Sequence, residues 1–133
     1  MILTFPFLLL SVIAYNVIVF VAGTPFETTV FQVPMISGAV WTFTVSDFLV
    51  AATLFLLFIE ILKATRTGGN SLIDHALSTI VFIVCLIEFL VVPEAATSLF
   101  FFITIITLID VVAGFSVTIR AARRDFAVGP QSY

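Results

Sequence analysis

Residues 46–64 read SDFLVAATLFLLFIEILKA, and this run decides the fold. It has about the ~20 residues a helix needs to cross the hydrocarbon core of a bilayer. Its polar residues are not scattered. Ser46, Leu49, Thr53, Leu56, Glu60, Lys63 and Thr67 recur at spacings of three and four and share one helix face. Such a helix offers apolar side chains to lipid and turns one polar stripe toward other helices. An ionised carboxylate in hydrocarbon costs at least ~2.5–3.5 kcal/mol even on lenient insertion scales, so Glu60 calls for partners inside a bundle.

Three more apolar runs surround it, at about 2–22, 72–92 and 98–119. The whole chain is 62% hydrophobic and only 10% charged, against about 25% charged residues in a soluble domain. Its 133 residues make one membrane domain with no room for a second. The expected fold is an all-α membrane protein: a four-transmembrane-helix antiparallel bundle. The run 2–22 has no Lys or Arg ahead of its apolar core and is long for a signal-peptide h-region. It is read as a span and not as a cleaved leader.

Basic residues set the orientation. Lys63 and Arg66 flank the connection between the second and third spans, and Arg120, Arg123 and Arg124 follow the fourth. Glu27, Asp47 and Glu94 mark the other side. The positive-inside rule puts both termini and the 65–71 loop in the cytoplasm. Residues 120–133 form a cytoplasmic tail, frayed from Gly129-Pro130 onward.

The stretch 23–44 then lies outside. It holds two runs rich in β-branched and aromatic residues, Thr28-Thr29-Val30-Phe31 with Val33, and Val40-Trp41-Thr42-Phe43-Thr44. Pro34 and Ser37-Gly38 stand between them as turn formers. This pattern predicts an irregular β-hairpin on the membrane surface, with Trp41 and Phe43 at headgroup level. A short interfacial helix is the rival reading. Pro93 closes the third helix, and so few residues separate it from the fourth that the two form an antiparallel hairpin.

The remaining polar residues divide into caps and deeper groups. Thr44-Val45-Ser46-Asp47 and Ser71-Leu72-Ile73-Asp74 both match the capping box, so Asp47 and Asp74 are expected to cap helix starts. His75 is read as an interfacial polar residue, with a ligand role as the alternative. Asp74, Ser78, Val81, Cys85 and Glu88 share a face of the third span. Ile103, Thr107, Asp110, Gly114 and Val117 share one of the fourth, where Gly114 permits a close neighbour. At 1.5 Å per residue, Asp110 falls near the midplane, Glu60 about 7 Å toward the cytoplasm and Glu88 about 9 Å toward the outside. Glu60 reaches Lys63 one turn on and matches the depth of His75. Glu88 matches Asn16 and Tyr15. Asp110 meets no basic residue at its own depth, and is expected to be protonated or paired with another subunit. The plain alternative for all three acids is hydrogen-bonding glue inside the bundle.

The segments Glu60-Ile-Leu-Lys-Ala-Thr-Arg-Thr-Gly68, Ile73-Asp-His-Ala-Leu-Ser78 and Ala121-Ala-Arg-Arg-Asp-Phe126 resemble those of short four-span inner-membrane proteins of proteobacteria. The likeness covers most of the chain and implies location and topology. Small multidrug exporters are similar in size and span count, but they carry their key glutamate in the first span. Here that span offers only Thr4, Ser11, Tyr15 and Asn16.

Several chemistries lack their residues. Five basic residues make no nucleic-acid patch. Cys85 has no second cysteine to pair with, and His75 has no second histidine for a bis-His haem. No nucleotide motif and no HExxH pair occurs. Ser78 follows His75 by three residues, but at a helix end with no evident oxyanion hole. The chain is expected to be no enzyme and to hold no cofactor. The leading expectation is an accessory or scaffold subunit of a membrane assembly, its partners the bilayer and another membrane protein or a second copy. The alternative is a proton-coupled transporter working as a dimer through Glu60, Asp110 and Glu88, with His75 at the cytoplasmic mouth.

Overall fold

The computed structural model describes residues 5–65 and 71–128. Its elements are α1 (Leu8–Asn16), continued by a π-helical segment (Val17–Ala22), then strands β1 (Thr29–Pro34) and β2 (Val40–Thr44), then α2 (Val45–Ala64), α3 (Ser71–Val91), a 3-10 turn (Pro93–Ala95) and α4 (Ser98–Val128). The fold is mostly helical, with one small two-stranded antiparallel sheet. Three helices are long and apolar enough to cross a membrane: Val45–Ala64, Leu72–Val91 and the first twenty residues of α4.

The first apolar run is shorter than its sequence suggests. Residues 1–4, including Ile2 and Thr4, lie outside the described residues. Phe5, Pro6 and Phe7 are not helical. Pro6 has no N–H to give, but its carbonyl accepts from Leu9 N at 2.9 Å, so it sits where a helix begins. The continuous helix Leu8–Ala22 spans only about 22 Å at 1.5 Å per residue. Gly23, at φ 64°, ends it in the left-handed conformation that glycine adopts without strain.

The segment 29–44 is a hairpin and not an interfacial helix. Phe31 pairs with Phe43, Gln32 with Thr42 and Val33 with Trp41, with a bulge near Val30. Met35 N donates to Ala39 O at 2.7 Å and Gly38 N to Met35 O at 3.0 Å. Gly38 has φ 94°, so the turn needs a residue free of a Cβ there. Phe31 and Phe43 stack at 4.6 Å, and Trp41 meets both rings edge-on. The hairpin leads straight into α2. Its preceding loop supplies acceptors for the first free amides of the helix, Thr28 O for Val45 N and Phe26 O for Ser46 N. The capping box expected at Thr44 and Asp47 is present: Asp47 N donates to Thr44 Oγ1 (3.3 Å), and Thr44 N to Asp47 Oδ2 (3.1 Å).

The fourth helix runs past its expected end. It continues through Val128, so residues 120–128 of the expected tail are helical. Ala121, Ala122, Arg123 and Arg124 are good helix formers, and no glycine or proline intervenes before Gly129. Gly129-Pro130 lies outside the described residues.

Around the bundle the order is α1, α2, α4, α3: α4 packs on both α2 and α3, α1 mainly on α2 and more thinly on α3 and α4. The hairpin half holds an apolar core built from Val12, Tyr15, Leu49, Val81, Cys85, Phe100 and Ile103. Tyr15 is fully buried and locks this half. Its hydroxyl donates to Glu94 O at 2.8 Å and lies 2.9 Å from Thr97 Oγ1, both in the connection between α3 and α4. Its ring stacks on Phe26 and meets Phe100 edge-on. Midway, the Thr53 and Ser11 hydroxyls lie 2.8 Å apart and join α2 to α1.

Candidate functional site

The half away from the hairpin is polar inside. Glu60 and Lys63 come from the last turns of α2, Asp74, His75 and Ser78 from the first turns of α3, and Asp110 from the middle of α4. All six are buried. The spacing of three and four along each helix puts them on inward faces, and the helix order brings those faces together.

Glu60, 3% exposed, is the hub. Its Oε1 accepts from Lys63 Nζ at 2.8 Å and from the backbone N–H of Phe7 at 3.2 Å. Its Oε2 accepts from Ser78 Oγ at 3.4 Å. The Asp110 side chain reaches both Glu60 and Ser78. The amide of Phe7 belongs to the start of α1, where free N–H groups and the positive end of the helix dipole favour an anion. One carboxylate thus joins all four helices.

Lys63 makes all its polar contacts in the same place. Besides Glu60 it donates to Phe5 O, and it lies 3.3 Å from Asp74 Oδ1. That last approach is an ion pair off the hydrogen-bonding direction, since Asp74 Oδ1 accepts no hydrogen bond among the described residues. The ammonium also sits over the Phe7 ring at 4.4 Å from its centre, a cation–π contact. Asp74 was expected to cap α3. Its carboxylate is buried and its Oδ1 is turned toward Lys63. The side chain of Ser71, the other half of that capping box, lies outside the described residues, as do Arg66 and Thr67.

His75 is 4% exposed and packs against α4 with its ring tilted on that of Phe115. Its ring is 5.0 Å from that of Phe115. Gly114 provides the space: a Cβ there would stand 2.8 Å from His75 Cε1. Depth put no basic residue beside Asp110, and the side chains that reach it are those of Glu60 and Ser78. The long side chain of Glu60 spans the offset between the two acids, and Ser78 bridges them from α3.

Glu88 is separate. It sits near the hairpin end of α3 and accepts from Asn16 Nδ2 at 3.2 Å, while Asn16 also donates to Val12 O at 2.8 Å. The equal depth of the two residues was legible in the sequence. The backbone partners of Glu60 and Lys63, at Phe7 and Phe5, were not. Main-chain groups carry no residue signature, and only the proline that delays the start of α1 hinted that amides would be free there. Thr104 and Thr107 bond back to carbonyls of their own helix and leave the acids to other donors.

Among the described residues, no three His, Cys, Asp or Glu side chains gather in a way that would hold a metal ion. Comparison with protein-family models, with curated proteins and with solved structures finds no match to this chain.

Proposed function

We propose that this protein is a small four-span inner-membrane protein, both termini cytoplasmic, that moves protons in exchange or symport with a small solute, working as a dimer. One observation carries the reading. Three buried carboxyl groups, Glu60, Asp74 and Asp110, face a single Lys63 ammonium, with His75 buried alongside. Charge balance in such an interior is met in part by protons, and intramembrane acids of this kind mark ion paths and relays. The cluster spans α1 to α4, so a proton gained or lost changes the force holding all four helices. Purified protein in liposomes with an internal pH dye tests it. Proton flux is expected to collapse in Glu60→Gln and Asp110→Asn, and unchanged flux in both variants removes the reading. A reporter fused after Tyr133 is expected to be active in the cytoplasm.

The hairpin supports a second reading, an accessory or scaffold subunit. Phe31, Val33, Val40 and Trp41 are exposed, and Ile36 at its tip wholly so, a patch able to dock another membrane protein. Extraction in mild detergent followed by native mass spectrometry separates the two. A stoichiometric second protein favours the subunit, and a homodimer favours transport.

A further inference from the structure

The seam between α1 and α3 is thinly packed. There α1 has widened into its π-helical segment, a distortion that recurs at functional sites. Two overlapping hollows of about 360 and 400 Å³ occupy the seam, within the ordinary range of small-molecule sites. Val17 and Phe20 form one wall, and Val84 and Ile87 the other. Asn16 and Glu88 are the only polar residues that line them.

The chemistry of that polar pair is incomplete. Asn16 gives one amide hydrogen to Glu88 Oε1 and holds its own backbone with the same nitrogen. Glu88 Oε2 has no hydrogen-bond partner among the described residues and lies just beneath the lining, where a turn of the carboxyl group would present it to a ligand. A neutral amide does not balance a carboxylate, and Lys63 and His75 belong to the cluster in the other half. A buried acceptor without a donor is costly, so the site favours a ligand that brings a donor or a positive charge. The walls specify the rest. They are aliphatic except for Phe20, whose ring is a group that attracts cations. A metal ion would want several oxygens, and the seam supplies one carboxylate.

We propose that this seam is a binding site for a lipophilic organic monocation, with its charge at Glu88 and its apolar body between the π-helical end of α1 and α3. The site opens sideways toward lipid, so such a ligand enters from the bilayer. It stands apart from the proton-exchange cluster, and binding does not require flux.

The test is equilibrium binding of tetraphenylphosphonium to the full-length protein in a nonionic maltoside. Tetraphenylborate serves as the probe of like shape and opposite charge. Saturable phosphonium binding is expected, with borate excluded. Glu88→Gln should weaken it about tenfold or more. Val84→Trp, which fills the hollow and keeps the carboxylate, should weaken it as well. Glu60→Gln should leave it within about twofold, because the two sites share no residue. Equal binding in Glu88→Gln, equal binding of borate, or a loss in Glu60→Gln as large as in Glu88→Gln would overturn the assignment. So would a protein or lipid amine that carbodiimide couples to Glu88 in native membranes and that excludes the phosphonium.

Discussion

Gly114 and His75 are fitted to one another: the imidazole lies where a side chain on residue 114 would begin, 2.8 Å from an ideal Cβ to His75 Cε1 and 2.9 Å to Nδ1. The contact joins α4 to the buried ionisable groups of α3. It also fixes how near those two helices come.

Gly114→Ala therefore sets two effects against each other. Alanine favours helix by about 1 kcal/mol, while overpacking a filled interior costs about 1–3 kcal/mol. A net loss is expected, read as a lower unfolding midpoint in detergent. His75→Ala in the same chain should relieve it. A double-mutant cycle is expected to give a coupling of about 0.5–3 kcal/mol, and additive effects would show that the ring moves aside freely.

Lys63→Met should be the most damaging single change in the cluster. It leaves Glu60 and Asp74 buried without their cation, a situation that costs about 3–5 kcal/mol. Replacing both members of the pair, Lys63→Met with Glu60→Leu, should recover much of the loss. Equal stability of the single and double variants would argue that the carboxylates find another counter-charge. Folded yield and thermal unfolding report both.

Tyr15→Phe isolates one hydroxyl. The ring contacts with Phe26 and Phe100 remain, while the bond to Glu94 O is lost, for about 0.5–1.5 kcal/mol. Tyr15→Ala removes the ring too and should cost about 3–5 kcal/mol. Proteolysis at the connection between α3 and α4 offers a local readout, since Tyr15 ties that connection to α1.

Thr44→Ala should shorten α2 at its start. It removes the acceptor for Asp47 N and should destabilise by about 0.5–2 kcal/mol. Faster amide exchange confined to the first turn of α2 is the expected signature.

Trp41 is the chain's single tryptophan, so its fluorescence reports the hairpin alone. At the headgroup level it should emit at shortened wavelength and be quenched by lipids brominated near the head of the chain more than by those brominated at its end. Emission typical of water would lift the hairpin off the bilayer.

Much of this architecture was legible in the residues. The stripe through Glu60 and Lys63 gave an inward face and an i,i+3 ion pair. Pro34 and Ser37-Gly38 between two β-rich runs gave a hairpin. What escaped is instructive. The contact between Asp110 and Glu60 was not foreseen, because side-chain length bridges an offset that counting rises along a helix treats as fixed. The ion pair of Asp74 escaped because the ammonium that meets it arrives from another helix. The arginines after the fourth span mark topology and also favour helix, so α4 runs on beyond the span. The π-helical turn at Val17–Ala22 has no local sequence mark, and the seam it borders became visible only in three dimensions.

The grip of Glu60 and Lys63 on the backbone at Phe7 and Phe5 has a meaning for biosynthesis. The first helix leaves the ribosome early, yet the groups that hold its beginning are encoded some fifty residues later. It is also the shortest of the apolar helices, the one least able to anchor itself. Its final seating waits on the arrival of the second helix, so a chain arrested between the two should be held loosely by the membrane and gain its hold only when Lys63 has been made.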